Sequence, residues 1–229
     1  EPEMALAIVV NPKSGEILGM TSTPDFDPNN YKNYDSSVLS RNLPIWASYE
    51  PGSTFKIMTM ASSVEENVID IFNDHFYDSG KVNVDGSILK CWKAGGHGDE
   101  SFLQVVENSC NPGFVVMGQK LGKERLFKYI DNFGFGKKTG VDLNGESTGI
   151  MFDLDKVGPV ELATTSFGQG ISVTPIQQVT GVSAAINGGI LYKPYIVKRL
   201  LEPETKATIL ENNKQEVRRV INEESSALV

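Results

Sequence analysis

The stretch from Ser53 to Val64 limits what this 229-residue chain can fold into more than any other part of it. Phe55, Ile57, Met58, Met60, Ala61 and Val64 recur at helical spacing and leave the helix apolar around most of its circumference. A helix without a polar face cannot lie on a surface, so the rest of the chain must wrap around it. Ser53, following Tyr49-Glu50-Pro51-Gly52, is the N-cap candidate. Lys56 is the only charge before Glu65. The wrapping material is available: 40% of the residues are hydrophobic, too many for a disordered chain, and the length suits one large domain.

The remaining elements are mixed. Met4 to Val10 and Glu16 to Thr21 read as a hairpin around Asn11-Pro12-Lys13-Ser14-Gly15, and Pro24 to Asn33 as a polar surface loop. Lys81 to Leu89 alternates around Asp85-Gly86 and reads as a second hairpin. Ser101 to Ser109 and Pro112 to Leu121 read as short helices meeting at Cys110-Asn111. Lys123 to Phe133 reads as an amphipathic helix stopped by Gly134, and Thr174 to Asn187 as a helix with Pro175 at its first position. Ile190 to Leu201 and Thr205 to Leu210 are expected as two strands. Asn222-Glu223-Glu224 signals a last helix start.

Charge narrows the function classes. With 21 basic against 29 acidic residues and a net charge of −8, no basic stripe is available to neutralise phosphates, so no nucleic-acid partner is expected. No apolar run approaches the roughly 18 residues that span a bilayer. Glycine and lysine around Gly134 to Gly140 fail the P-loop spacing, and Asp25, Asp27 and Asp35 lack the spacing of a calcium loop.

Chemistry concentrates at two places. Ser53 and Lys56 stand three apart on a helix and share a face. A lysine inside an apolar helix loses hydration, its neutral form is favoured, and a neutral amine can take the proton of a serine nucleophile. Backbone N–H groups at the helix start sit where an acyl oxyanion would form. At Ser109-Cys110-Asn111 a hydroxyl and an amide two apart on a turn can face one cleft, one to relay a proton and one to bind a carbonyl. Each signal has a plain alternative in helix capping.

Taken together, Tyr49 to Lys56 and Ser109-Cys110-Asn111 resemble the S-x-x-K and S-x-N motifs of penicillin-binding transpeptidases. Asn11 to Ile17, Phe133-Gly134-Phe135-Gly136 and Ser166-Phe167-Gly168-Gln169-Gly170 before Thr174-Pro175 extend the resemblance to the class B members over the whole chain. Lys90-Cys91-Trp92-Lys93, Gly95-Gly96-His97-Gly98 and Asn108 to Phe114 are similar to a sporulation branch of that class. The resemblance implies an α/β fold of the α+β type, shared with serine β-lactamases, with helices around an antiparallel sheet. It implies Ser53 as the acylated nucleophile, Lys56 as its base, Ser109 as proton relay and Asn111 as binder of the acyl donor's amide. The implied reaction cross-links peptidoglycan stem peptides, in spore cortex for that branch, and β-lactams would acylate the same serine. The implied setting is extracytoplasmic, with a membrane anchor and a glycosyltransferase partner supplied through the full-length protein.

Lys138-Thr139-Gly140 spells the family's third motif in the wrong context, between Phe135-Gly136 and Val141-Asp142-Leu143, and is expected to be a loop. The true motif would follow the helix that begins near Asn222, so residues 1–229 are expected to be one transpeptidase domain cut before that motif, with two of three catalytic motifs present. Two other functions stay open. A serine β-lactamase would need a water-activating Glu that no segment announces, and a silent, metal-stabilised scaffold would need no catalysis at all.

Cys91, His97 and Cys110 read C-x5-H-x12-C, with Asp99 as a fourth ligand, a set that suits tetrahedral zinc. A Cys91–Cys110 disulfide and a pair of free thiols are the alternatives. His75, in Asn73-Asp74-His75-Phe76, is expected in a loop. Trp92 is expected to wall the pocket or to pack.

Overall fold

The computed structural model describes residues 3–229. The first part of the chain forms strands β1 (Ala5–Val10) and β2 (Ile17–Thr23), helices α1 (Ser36–Leu39) and α2 (Leu43–Trp46), then the central helix α3 (Lys56–Glu65). Strands β3 (His75–Asp78), β4 (Lys81–Val84), β5 (Ser87–Lys90) and β6 (Gly98–Ser101) follow. After them come helices α4 (Phe102–Glu107), α5 (Asn111–Leu121), α6 (Lys123–Asn132), α7 (Pro159–Thr165) and α8 (Pro175–Ile186). The chain closes with β7 (Ile190–Tyr192), β8 (Arg199–Leu201), β9 (Thr208–Glu211), β10 (Glu216–Arg219) and α9 (Glu223–Leu228). The strands pair antiparallel as β1–β2, β3–β6, β4–β5, β7–β10 and β8–β9.

Helix α3 is buried on nearly every side, as its apolar circumference requires. On one side Met58 and Ala61, with Phe55 before them, pack among Leu126, Ile130 and Phe133 of the α6 region and Ala184 and Ala185 of α8. On the other, Met60 and Val64 pack among Phe102, Val105, Phe114 and Met117 of α4 and α5. Two apolar clusters thus share one helix, and the residues at its N-terminus are fixed from both sides. Capping boxes start α4 and α8: Ser101 with Gln104, and Thr174 with Gln177.

The C-terminal strands pair around Pro203 as expected, β8 with β9, but the first of them is shorter than its pattern. Ile190 to Leu201 does not run as one strand. Pro194 has no N–H to give a ladder, and the chain turns there, so that Tyr195 N–H donates to Gly15 O and β7 pairs with β10 instead. Helix α7 and the β3–β6 ladder also escaped the sequence patterns, being too short to show a period.

Candidate active site and metal-ligand cluster

Ser53 is not an N-cap. It lies inside a 3-10 turn, Gly52–Phe55, that runs into α3 without a break, and its side chain makes no capping bond. The hydroxyl is exposed, while Lys56 one turn on is only 4% exposed. The turn is held from behind by Ser166-Phe167-Gly168-Gln169-Gly170. Gly52 N–H donates to Gly168 O at 2.9 Å, Thr59 Oγ1 donates to Ser166 O at 2.9 Å, and Glu50 Oε1 accepts from Gly170 N–H at 2.9 Å. Gln178 Nε2 donates to Thr54 O at 3.0 Å. This segment, which by composition alone reads as a mobile glycine loop, is the back wall of the serine turn.

Gly168 is required there twice over. Its φ is +81°, and a Cβ would lie 2.2 Å from Gly52 O. Gly168→Ala is therefore expected to destabilise the protein by about 2–5 kcal/mol, through left-handed backbone strain plus overpacking, and to displace Ser53. Thermal unfolding reads the first effect, and the rate of Ser53 modification reads the second.

Lys56 Nζ donates to Ser109 O at 2.8 Å, Ser109 Oγ at 2.9 Å and Asn111 Oδ1 at 2.7 Å, and lies 5.1 Å from the centre of the Phe114 ring. Those three acceptors use all three protons of an ammonium. Burial draws its pKa down to about 8, against a weaker opposing pull from Cys110 and Cys91. Ser109 adopts φ +50°, costing about 1–2 kcal/mol for a residue with a Cβ. The buried Cys110 after it and the start of α5 at Asn111 hold it in that conformation. The strain lets the Ser109 carbonyl and hydroxyl and the Asn111 amide converge on one nitrogen. All four residues singled out by sequence, Ser53, Lys56, Ser109 and Asn111, thus fall on the two adjoining segments of one site.

Lys138-Thr139-Gly140 is a loop clamped by the buried Glu146. Its carboxylate accepts from Thr139 N–H and Thr139 Oγ1 at 2.6 Å each and from Gly140 N–H at 3.1 Å.

Directly behind Ser109 and Asn111 stands a second cluster. The ligand atoms of Asp78, Cys91, His97 and Cys110 all lie within 4.8 Å of one another. Asp78 Oδ2 is 2.9 Å from His97 Nδ1, which is 3.4 Å from Cys91 Sγ. Cys91 and Cys110 are both buried and are not bonded to each other in this structure. Burial raises the pKa of both. Burial also disfavours a charged Asp78, yet hydrogen bonds from Cys91, Gly80 N–H and His97 overcome it and hold the carboxyl at about 2.

Asp99 is corrected as the fourth member of this set. Its side chain is 67% exposed and pairs with His75 Nδ1 at 3.0 Å. The reason is the two-residue period of β6, which turns Asp99 outward and Glu100 inward, while Asp78 closes β3 opposite Gly98. His75 opens a strand and not a loop. The one sequence signal for Asp78 is Asp78-Ser79-Gly80, a turn in which Asp78 Oδ1 accepts from Gly80 N–H at 2.7 Å.

Residues 5–229 match the model of the penicillin-binding protein transpeptidase domain, and the chain belongs to that family. It is 60% identical over 225 residues to stage V sporulation protein D of Bacillus subtilis strain 168, covering 98% of this chain and 35% of that protein. It is 27% identical over 201 residues to the peptidoglycan D,D-transpeptidase FtsI of Escherichia coli K12, covering 88% of this chain and 33% of that protein. The chain therefore spans about a third of the curated relatives' length. Among solved structures it is similar to penicillin binding protein 3 of Mycobacterium tuberculosis complexed with aztreonam. The TM-score is 0.88 at 26% identity, over 98% of this chain and 49% of that one.

Proposed function

We propose that the protein is a serine D,D-transpeptidase that cross-links peptidoglycan stem peptides through an acyl-enzyme on Ser53. The observation that carries this reading is the convergence of Ser109 and Asn111 on the buried Lys56 amine, one turn beyond an exposed serine. Once Lys56 loses a proton, its lone pair accepts the hydroxyl proton of Ser53. The Ser53 oxygen attacks the carbonyl of the penultimate D-Ala, and backbone N–H groups of the serine turn face the developing oxyanion. The C–N bond breaks, the Ser109 hydroxyl passes a proton to the leaving amine, and D-Ala departs. An amine of a neighbouring stem then attacks the ester, losing its proton along the same route, and Ser53 is restored.

The sporulation relative supports spore cortex as the setting, outside the cytoplasmic membrane, with an anchor and a partner glycosyltransferase in the whole protein. Among the described residues no helix is long and apolar enough to cross a membrane.

Zinc fits the second cluster. Two sulfurs, an imidazole nitrogen and a carboxylate form a soft-to-borderline tetrahedral set. His97 Nε2 and Glu100 Oε2 are buried without hydrogen-bond partners, although Glu100 Oε2 lies 3.8 Å from His97 Nδ1, which marks a polar site not fully satisfied. Bound by Asp78, Cys91, His97 and Cys110, zinc would act structurally, as a tether that fixes Cys110 and with it Ser109 and Asn111.

A fluorescent penicillin, applied to the full-length protein with its third motif supplied, tests the main reading. Stable labelling that disappears in Ser53→Ala is the expected result. Rapid release of the label would mean a β-lactamase, and a complete lack of labelling would mean a silent scaffold.

A further inference from the structure

Three lysines on the rim beside the S-x-N segment stand out against the acidic chain. Lys81 and Lys90 are direct partners across the β4–β5 ladder, and both are exposed. Like charges placed opposite each other repel, so the arrangement works against the hairpin's own stability. Lys93, also exposed, follows in the next turn. Among the described residues the ion-paired lysines are Lys120, Lys137, Lys156 and Lys198, and none of the three rim lysines is paired.

The rim is built into the site. Asn111 Nδ2 donates to Lys90 O at 3.3 Å. Cys91 points inward to the metal-ligand cluster, so by alternation Lys90 and Trp92 flank it on the outside. Trp92 is 66% exposed, yet it is not free to swing. Its Nε1 donates to Asn108 O at 2.8 Å, one residue before Ser109, and its ring stands edge-on to His97 at 5.3 Å. An indole pinned at its N–H end and bare on its surface is a fixed platform.

We infer that Lys81, Lys90 and Lys93 with Trp92 form a subsite for the carboxylate-bearing part of the acyl-donor stem peptide, upstream of its terminal D-Ala pair. The inference rests on the transpeptidase reading and adds to it a basis for substrate choice. Asn111 links the two: one N–H of its amide is spent on the Lys90 carbonyl, and the second is left for the donor backbone. The lysines supply the positive field and Trp92 supplies the flat contact.

The test compares two soluble stem peptides ending in D-Ala–D-Ala, one with free side carboxylates and one with those carboxylates amidated. The full-length protein, with its third motif, and its Lys81→Gln, Lys90→Gln, Lys93→Gln and triple variants are used. The free-carboxylate peptide is expected to acylate Ser53 with a lower KM than the amide. Each single variant is expected to narrow that preference by about twofold, consistent with exposed charge pairs, and the triple variant to abolish it. Raising the salt concentration should narrow it too. Trp92→Ala should raise KM for both peptides with little change in kcat, and Trp92→Phe should restore most of the loss. A preference that is absent, or that survives the triple variant, overturns the inference. So does binding of glycan strands without peptides that Trp92→Ala removes while peptide KM stays fixed. Failure of penicillin to label Ser53 in the unmutated full-length protein would instead overturn the transpeptidase reading itself.

Discussion

Replacing Lys56 with alanine is expected to slow the acylation of Ser53 by penicillin about a thousandfold, the range for loss of a positioned general base. The loss has two sources. The amine that takes the serine proton is gone, and the Ser109 carbonyl, Ser109 hydroxyl and Asn111 amide oxygen lose their shared donor. Lys56→Arg should not rescue, because a guanidinium stays protonated and cannot serve as the base. The pH profile separates this from a purely structural role. With a pKa of about 8, the neutral amine is the minor form at pH 7, so acylation should rise with pH and level off above about 8. The same shift sets a stability trend. The unfolded chain holds the Lys56 proton up to about pH 10.4 while the folded protein releases it near 8. Between those values the unfolded state binds more protons, so this group's penalty of about 3 kcal/mol is fully present below pH 8 and is relieved as pH rises. Lys56→Met should lack that component. A rate independent of pH from 6 to about 9, or an arginine variant with full activity, would sink the base assignment.

The second large effect concerns the metal. The purified protein is expected to carry zinc near one equivalent per chain, lost in Cys91→Ser, Cys110→Ser and Asp78→Asn and retained in Asp99→Asn. The Asp78 and Asp99 pair is the sharper comparison, since one carboxylate lies inside the cluster and the other pairs with His75 in solvent. Chelation should lower the melting temperature in proportion to the binding free energy removed, about 4 kcal/mol if zinc had been present at a thousand times its Kd. It should also slow acylation, because Cys110 sits between Ser109 and Asn111. Elemental analysis with thiol titration decides the matter. Two freely titrating thiols without metal, or absent thiols without metal, would each rule zinc out.

The pairing of a serine with a buried lysine at one helix start was legible because it is local. Ser53 and Lys56 are three apart, and the apolar residues after them say that the helix is buried, which is all that lysine pKa depression needs. Ser109 and Asn111 were legible as a motif, but the strained backbone that aims them was not, since Ser109 carries no glycine-like signature for its φ of +50°. The fourth member of the candidate metal-ligand cluster was misplaced for a similar reason. Asp99 is near His97 in sequence, but the β3–β6 ladder decides which carboxylate faces inward, and four-residue strands show too little period to reveal the ladder. The support behind Ser53 was hidden as well. Gly168 reads as flexibility until Gly52 O is found where its Cβ would be.

The amino-acid sequence by itself determined that one apolar helix must be enclosed, that a serine and a lone lysine share its start, and that one cysteine lies inside a second motif and another before it. Hydrophobic periodicity and motif spacing act within a few turns of chain, so these survive without coordinates. Tertiary structure alone decided that Lys56 meets Ser109 and Asn111, that Asp78 and not Asp99 joins the cysteines, and that the exposed Trp92 is pinned to Asn108 beside the S-x-N segment. Each of those depends on contacts between segments far apart in the chain, whose register is set by packing around α3 and by strand pairing.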